Sequence, residues 1–154
     1  MTGIVIIYEV GTKTIANAVA SKIGCSKLVE LGSAVKNPKQ LKDSTIGLFS
    51  KQEGKGVSSE MIDFITNTLP AINLDKLEYL FSVSVGNKKP YHSLKVIEKL
   101  CNKNGIVPSY NLFIDSANRA DKIRQLCSAV KNGDIKLAEG SPLTYYYMKF
   151  KGIK

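Results

Sequence analysis

Three short stretches of the chain carry residue types from which a ligand site can be built. The first is Tyr8-Glu9-Val10-Gly11-Thr12-Lys13-Thr14, between an apolar run and a helical pattern. Free backbone N–H groups at a helix start, reinforced by the helix dipole, hold anions. Gly11 permits close backbone approach, Thr12 and Thr14 add hydroxyls, and Lys13 adds positive charge. The same residues also read as an ordinary helix start with Thr12 as N-cap. Neither a Walker phosphate loop nor the three-glycine dinucleotide fingerprint occurs here.

The second stretch is Phe49-Ser50-Lys51-Gln52-Glu53-Gly54-Lys55-Gly56. An aromatic residue beside a glycine-rich loop can cover a planar ring; equally, Phe49 can belong to the core. The third is Val85-Gly86-Asn87-Lys88-Lys89-Pro90-Tyr91. Gly86 and Asn87 offer backbone and amide groups to the edge of a ring, and Tyr91 offers a flat face for stacking. The alternative is a helix-start turn with Pro90 at the first helical position. His92 has no second histidine to share a metal with, because it is the only one in the chain. No Ser/His/Asp or Cys/His set has a convincing context.

These stretches must be held by the elements between them, and strand and helix signals alternate along the chain. Ile4 to Tyr8 is a continuous β-branched run, as expected for a strand buried on both faces of a parallel sheet. Thr12 to Ile23 places Ile15, Val19 and Ile23 on a helical stripe, and Gly24 stands where a helix C′ glycine would. Ser26 to Leu31 reads as a second strand, Asn37 to Lys42 as a short helix or turn, and Ser44 to Phe49 as a third strand. Ser50 to Val57 reads as a loop. Ser58 or Ser59 then caps a helix whose inner face is Met61, Ile62, Ile65 and Leu69.

Leu77 to Val85 is the fourth strand. Leu94, Ile97, Leu100 and Cys101 mark a helix closed by Asn104-Gly105. Ile106 to Ile114 is the fifth strand, at an edge because of Pro108. Ile123, Leu126, Cys127 and Val130 mark the last helix, capped by Asp115 or Ser116. Five strands alternating with helices predict an α/β fold with a parallel sheet covered on both faces. All three candidate loops then fall on the carboxyl edge, where such sheets bind ligands.

Length and composition agree with one domain over 1–154. For the tail, 133–154, both packing on the domain and service as a partner-binding segment stay open. The chain has 154 residues, 44% of them apolar. No apolar run approaches the ~18 residues that cross a bilayer, and the start lacks a secretory signal, so no membrane is expected and a cytoplasmic location is. Cys25, Cys101 and Cys127 are widely spaced and odd in number, which suggests neither a disulfide frame nor a metal site. The formal charge is +9, from 22 Lys+Arg against 13 Asp+Glu. Such a surface favours anionic partners. No recognition motif accompanies it, so nucleic acid is not the expected partner.

With these residues in place, the chain resembles the flavodoxin family over roughly residues 3 to 132. Gly11-Thr12-Lys13-Thr14-Ile15-Ala16 looks like the start of that family's phosphate loop and following helix. Ile46-Gly47-Leu48-Phe49, with Gly56-Val57-Ser58-Ser59-Glu60-Met61 and Phe64, looks like the third strand, its loop and its helix. Val85-Gly86-Asn87 with Tyr91 is similar to the loop that holds the flavin ring. The resemblance implies a flavodoxin-like three-layer sandwich with strand order 2-1-3-4-5. It implies non-covalent FMN, with Gly11, Thr12, Lys13 and Thr14 toward the phosphate. Phe49 and Tyr91 would flank the ring, with Ser50, Lys51 and Val85 beside it and Gly86 and Asn87 at its polar edge.

The implied activity is that of an electron carrier rather than a stand-alone enzyme. Two departures bear on this. Glu9 and Val10 stand where the family has hydroxyl residues, in a loop shorter than the family's. The chain is also basic, so a redox partner should present an acidic docking surface. A cofactor-free flavodoxin-fold scaffold and an NAD(P)H-dependent flavin reductase are the other readings.

Overall fold

In a computed structural model of the chain, the described residues are 4–24, 26–36, 45–53, 56–71, 79–86, 91–106, 108, 110–115 and 119–132. The tail, 133–154, lies outside them, as does the expected short helix or turn at 37–42. Strands β1 (Ile4–Tyr8), β2 (Ser26–Glu30), β3 (Thr45–Glu53), β5 (Tyr79–Val85) and β6 (Tyr110–Ile114) run parallel in the order β2-β1-β3-β5-β6. A two-residue strand, β4 (Gly56–Val57), pairs antiparallel with the end of β3. Apart from β4, the order is the one expected.

Successive side chains on a strand point to opposite faces, and each run feeds two cores. Ile4, Ile6 and Tyr8 of β1 join Phe49, Phe81, Val83, Leu112 and Ile114 on one face. That face is covered by α1 (Lys13–Ile23) and α5 (Arg119–Asn132) through Ile15, Val19, Ile123 and Leu126. Val5 and Ile7 join Ile46, Leu48 and Leu80 on the other. There α2 (Leu31–Lys36), α3 (Ser59–Asp63) and α4 (Tyr91–Lys103) contribute Ala34, Met61, Ile97 and Cys101. Complete burial of a side chain as large as Phe or Ile stabilises by about 1.5–3 kcal/mol, so both faces hold the sheet firmly. Gly24, with φ 87°, ends α1 in the conformation that favours glycine.

Several local expectations are corrected. β2 ends at Glu30, and Leu31 turns directly into α2. β3 continues through Ser50–Glu53 where a loop was expected. Its ladder with β5 runs to Lys51–Val85, and Gln52 and Glu53 then pair with Val57 and Gly56. The helix after Ser58 widens into a π-helical turn over Phe64–Thr68. That turn brings Phe64 inward with Met61, Ile65 and Leu69 and leaves Ile62 38% exposed. Among the described residues, no helix is long and apolar enough to cross a membrane.

Candidate functional site

The site lies where the sheet order reverses, between β1 and its neighbours β2 and β3, at the carboxyl ends of the strands. β1 stops at Tyr8, a short 3-10 turn covers Val10–Thr12, and α1 begins at Lys13. Only Glu9 separates strand from turn. The loop closes on itself: the Thr12 N–H donates to the Glu9 carbonyl at 2.9 Å, and the Thr12 hydroxyl donates to the same oxygen at 2.8 Å. The Lys13 N–H donates to the Val10 carbonyl. Thr12 is buried and makes no side-chain cap to α1, so the helix-cap reading of this residue is corrected: its hydroxyl is turned back into the loop. Gly11, Lys13 and Thr14 are exposed at the start of α1.

The Glu9 carboxylate crosses the cleft. One oxygen accepts the Lys51 backbone N–H at 2.9 Å, and the other accepts the Ser58 hydroxyl at 2.7 Å. Ser58 in turn accepts the Met61 N–H at 3.1 Å, the N-cap bond expected at this position. Donors from β3 and from the start of α3 thus converge on an anion supplied by the loop after β1. Bonds of this charge-assisted kind are roughly twice as strong as neutral ones.

The cleft around this bridge has a volume of about 310 Å³. Among the described residues its lining includes Glu9, Glu30, Glu53 and Glu60 and, as a cation, Lys51 alone. The Lys51 side chain lies along Gly11, where an added Cβ would stand 3.0 Å from its Cδ. Gly11 is therefore the floor on which Lys51 rests.

On the far side of β3, Gly86 donates its N–H to the Ile114 carbonyl at 3.1 Å. A Cβ there would lie 2.6 Å from the Gln52 Cβ, so the extended end of β3 packs directly over Gly86. Val85 is half-buried at the end of β5. Ser84 on β5 donates to Ser93 at 2.6 Å, which fixes the start of α4 against this edge.

Two expectations about ring contacts are corrected. Phe49 is 0% exposed, inside the core with the α1 and α5 face, and its ring meets Phe81 edge-on at 6.4 Å. A side chain so enclosed has no face to offer a ligand. Ser50 is also wholly buried, with its hydroxyl 3.5 Å from the Val83 carbonyl. Asn87 and the side chain of Tyr91 lie outside the described residues. Of the expected site residues the structure brings Gly11 and Lys51 together at the cleft, leaves Thr12, Lys13 and Thr14 outside its lining, and sets Val85 and Gly86 beyond β3. Sequence reasoning set Glu9 in the loop and Ser58 at a helix start but did not join the two, and it missed Glu30, Glu53 and Glu60. The available signal was Glu9 itself, a carboxylate at the end of a fully buried strand.

The Lys51 N–H and Ser58 O–H already hold the two oxygens of a carboxylate, so they suit phosphate oxygens in kind. To serve one they must first release Glu9.

No protein-family model matches the sequence, and no curated protein matches it. Solved structures do. The chain is similar to the flavodoxin of Fusobacterium nucleatum bound to flavin mononucleotide, at 12% identity and a TM-score of 0.65, over 86% of this chain and 99% of that one. It is similar to flavodoxin 1 of Bacillus cereus at 14% identity and 0.64, over 84% and 97%. It is also similar to a short-chain flavodoxin associated with a bacterial microcompartment, at 17% identity and 0.64, over 86% and 99%. Together with the observed strand order, these similarities establish that the chain has the flavodoxin-like fold.

Proposed function

We propose that the carboxyl edge of this sheet binds FMN non-covalently and that the protein is a cytoplasmic electron carrier, a single domain with 133–154 as its tail. The observation that carries this reading is the anion cradle. Two donors from separate elements, β3 and the cap of α3, each hold one oxygen of the Glu9 carboxylate at the switch point of a flavodoxin-like sheet. The solved neighbour with flavin mononucleotide bound has the same fold.

In this reading Gly11 lets the backbone come close to the phosphate, and the Thr14 hydroxyl and the charges of Lys13 and Lys51 face it. Gly86 and Asn87 face the polar edge of the ring, and Tyr91 covers one of its faces. Bound FMN would supply transfer of one or two electrons, tuned by hydrogen bonds and charge near the ring. With a net charge of +9, the protein would dock on a partner with an acidic surface. Titrating the protein with FMN and following quenching of flavin fluorescence tests the reading. Saturable quenching at about micromolar flavin, an ordinary affinity for a small-ligand site, supports it. Unchanged fluorescence removes it.

A second reading has its own observation. Among the described residues four glutamates line the cleft, and one of them fills the cradle. That arrangement favours a cofactor-free binding module on the same fold, and recovery of a stable apo-protein with one specific protein partner would support it.

A further inference from the structure

We infer that Glu9 is an internal competitor for the donors that would hold a ligand phosphate, so that in the free protein those donors are already taken by its own carboxylate. The inference rests on the FMN reading for the identity of the ligand, but its geometry stands apart from it. Both Glu9 oxygens are engaged, one by the Lys51 N–H at 2.9 Å and one by the Ser58 hydroxyl at 2.7 Å. The elements these donors come from are 42 and 49 residues away in sequence. The contact therefore ties the loop after β1 to β3 and to the start of α3.

The rest of the loop is arranged around the same residue. The Thr12 N–H and hydroxyl are both spent on the Glu9 carbonyl. They anchor the backbone of Glu9 and are withheld from any ligand. A phosphate dianion entering this cleft would meet the Glu9 charge beside Glu30, Glu53 and Glu60, and it would find the Lys51 N–H and Ser58 O–H already taken. Glu9 must swing out before the phosphate can use them. A ligand that lacks the phosphate bears none of this cost. Glu9 is thus a specificity determinant, lowering the preference of the cleft for phosphorylated ligands.

The test compares FMN with riboflavin, which differ only by the phosphate, in the full chain and in Glu9→Gln. Glu9→Gln keeps the size of the side chain and removes its charge. In the unsubstituted protein the two flavins should bind within about threefold of each other. In Glu9→Gln the affinity for FMN should rise about tenfold relative to riboflavin, a conservative figure for taking one charge from beside a dianion near a protein surface. Glu9→Asp, which keeps the charge, should show no such gain. An unsubstituted protein that prefers FMN tenfold or more overturns the inference and leaves the FMN reading standing.

If neither protein binds either flavin, the FMN reading falls and inorganic phosphate decides the inference alone. Millimolar phosphate should move the backbone amide resonances of Gly11 and Lys51 in Glu9→Gln and not in the unsubstituted protein. Equal responses in the two, or none in either, overturn it. Glu9→Ser repeats the series should Glu9→Gln fail to fold.

Discussion

Replacing Gly47 by alanine should break the packing that holds Phe49 away from the cleft. Gly47 lies opposite Phe81 in the ladder between β3 and β5. A Cβ at Gly47 would stand 2.6 Å from Phe81 Cε2 and 3.0 Å from Cε1. The ring cannot simply retreat, because Phe81 is 0% exposed and already set edge-on to Phe49 with an interplanar angle of 79°. Overpacking a filled core costs about 1–3 kcal/mol, and loss of the aromatic pair adds about 0.5–1.5 kcal/mol. The expected total is about 1.5–4.5 kcal/mol.

At about 2–4 °C per kcal/mol for a domain of this size, the melting temperature should fall by about 3–18 °C. Urea unfolding followed by circular dichroism measures the loss directly, which suits a chain without tryptophan. Pairing the change with Phe81→Leu tests the cause. A smaller side chain makes room for the new methyl, so the double variant should be more stable than the sum of the single effects predicts, by at least about 1 kcal/mol. A Gly47→Ala protein within about 0.5 kcal/mol of the parent, the range of ordinary surface changes, would refute the packing argument. So would strict additivity with Phe81→Leu.

Two further outcomes are expected. Ser58→Ala removes both the cap on α3 and the bridge to Glu9; a lost cap alone costs about 1 kcal/mol, and faster hydrogen exchange at the Lys51 amide should accompany the fall in the urea midpoint. Burial, and then the nearby Glu98, push the Cys101 thiol up to about 12 from an ordinary value of 9.0. The native state therefore keeps its proton longer than the unfolded chain does. The contribution of Cys101 to stability should be constant below pH 9 and decline as pH rises toward 12. Cys101→Ala should remove that part of the slope in urea unfolding between pH 8 and 10.5, and the native peptide carrying Cys101 should resist alkylation at pH 8.

The layout of this protein was legible in the chain because it rests on local signals. The run Ile4–Tyr8 has no polar face, so it must lie inside a sheet covered on both sides. The stripes Ile15-Val19-Ile23 and Ile123-Leu126-Cys127-Val130 each present one face to such a sheet. Gly24 and Gly105 sit just beyond helices with φ of 87° and 77°, as a helix end requires. Right-handed crossovers then leave few arrangements of five strands, and the carboxyl edge follows from the topology.

Tertiary structure decided what stands at that edge. Whether Phe49 faces a ligand or the core depended on the space above Gly47 and on the ring of Phe81, far along the chain on β5, which no local pattern reports. The extension of β3 through Ser50–Glu53 needed partners on β5 and β4, which a glycine-rich stretch does not reveal by itself. The inward turn of Phe64 came from a local widening of its helix. Glu9 could be named from sequence as a carboxylate near the loop. Its bonds to Lys51 and Ser58 join segments far apart in the chain, and only folding brings them within reach of one another.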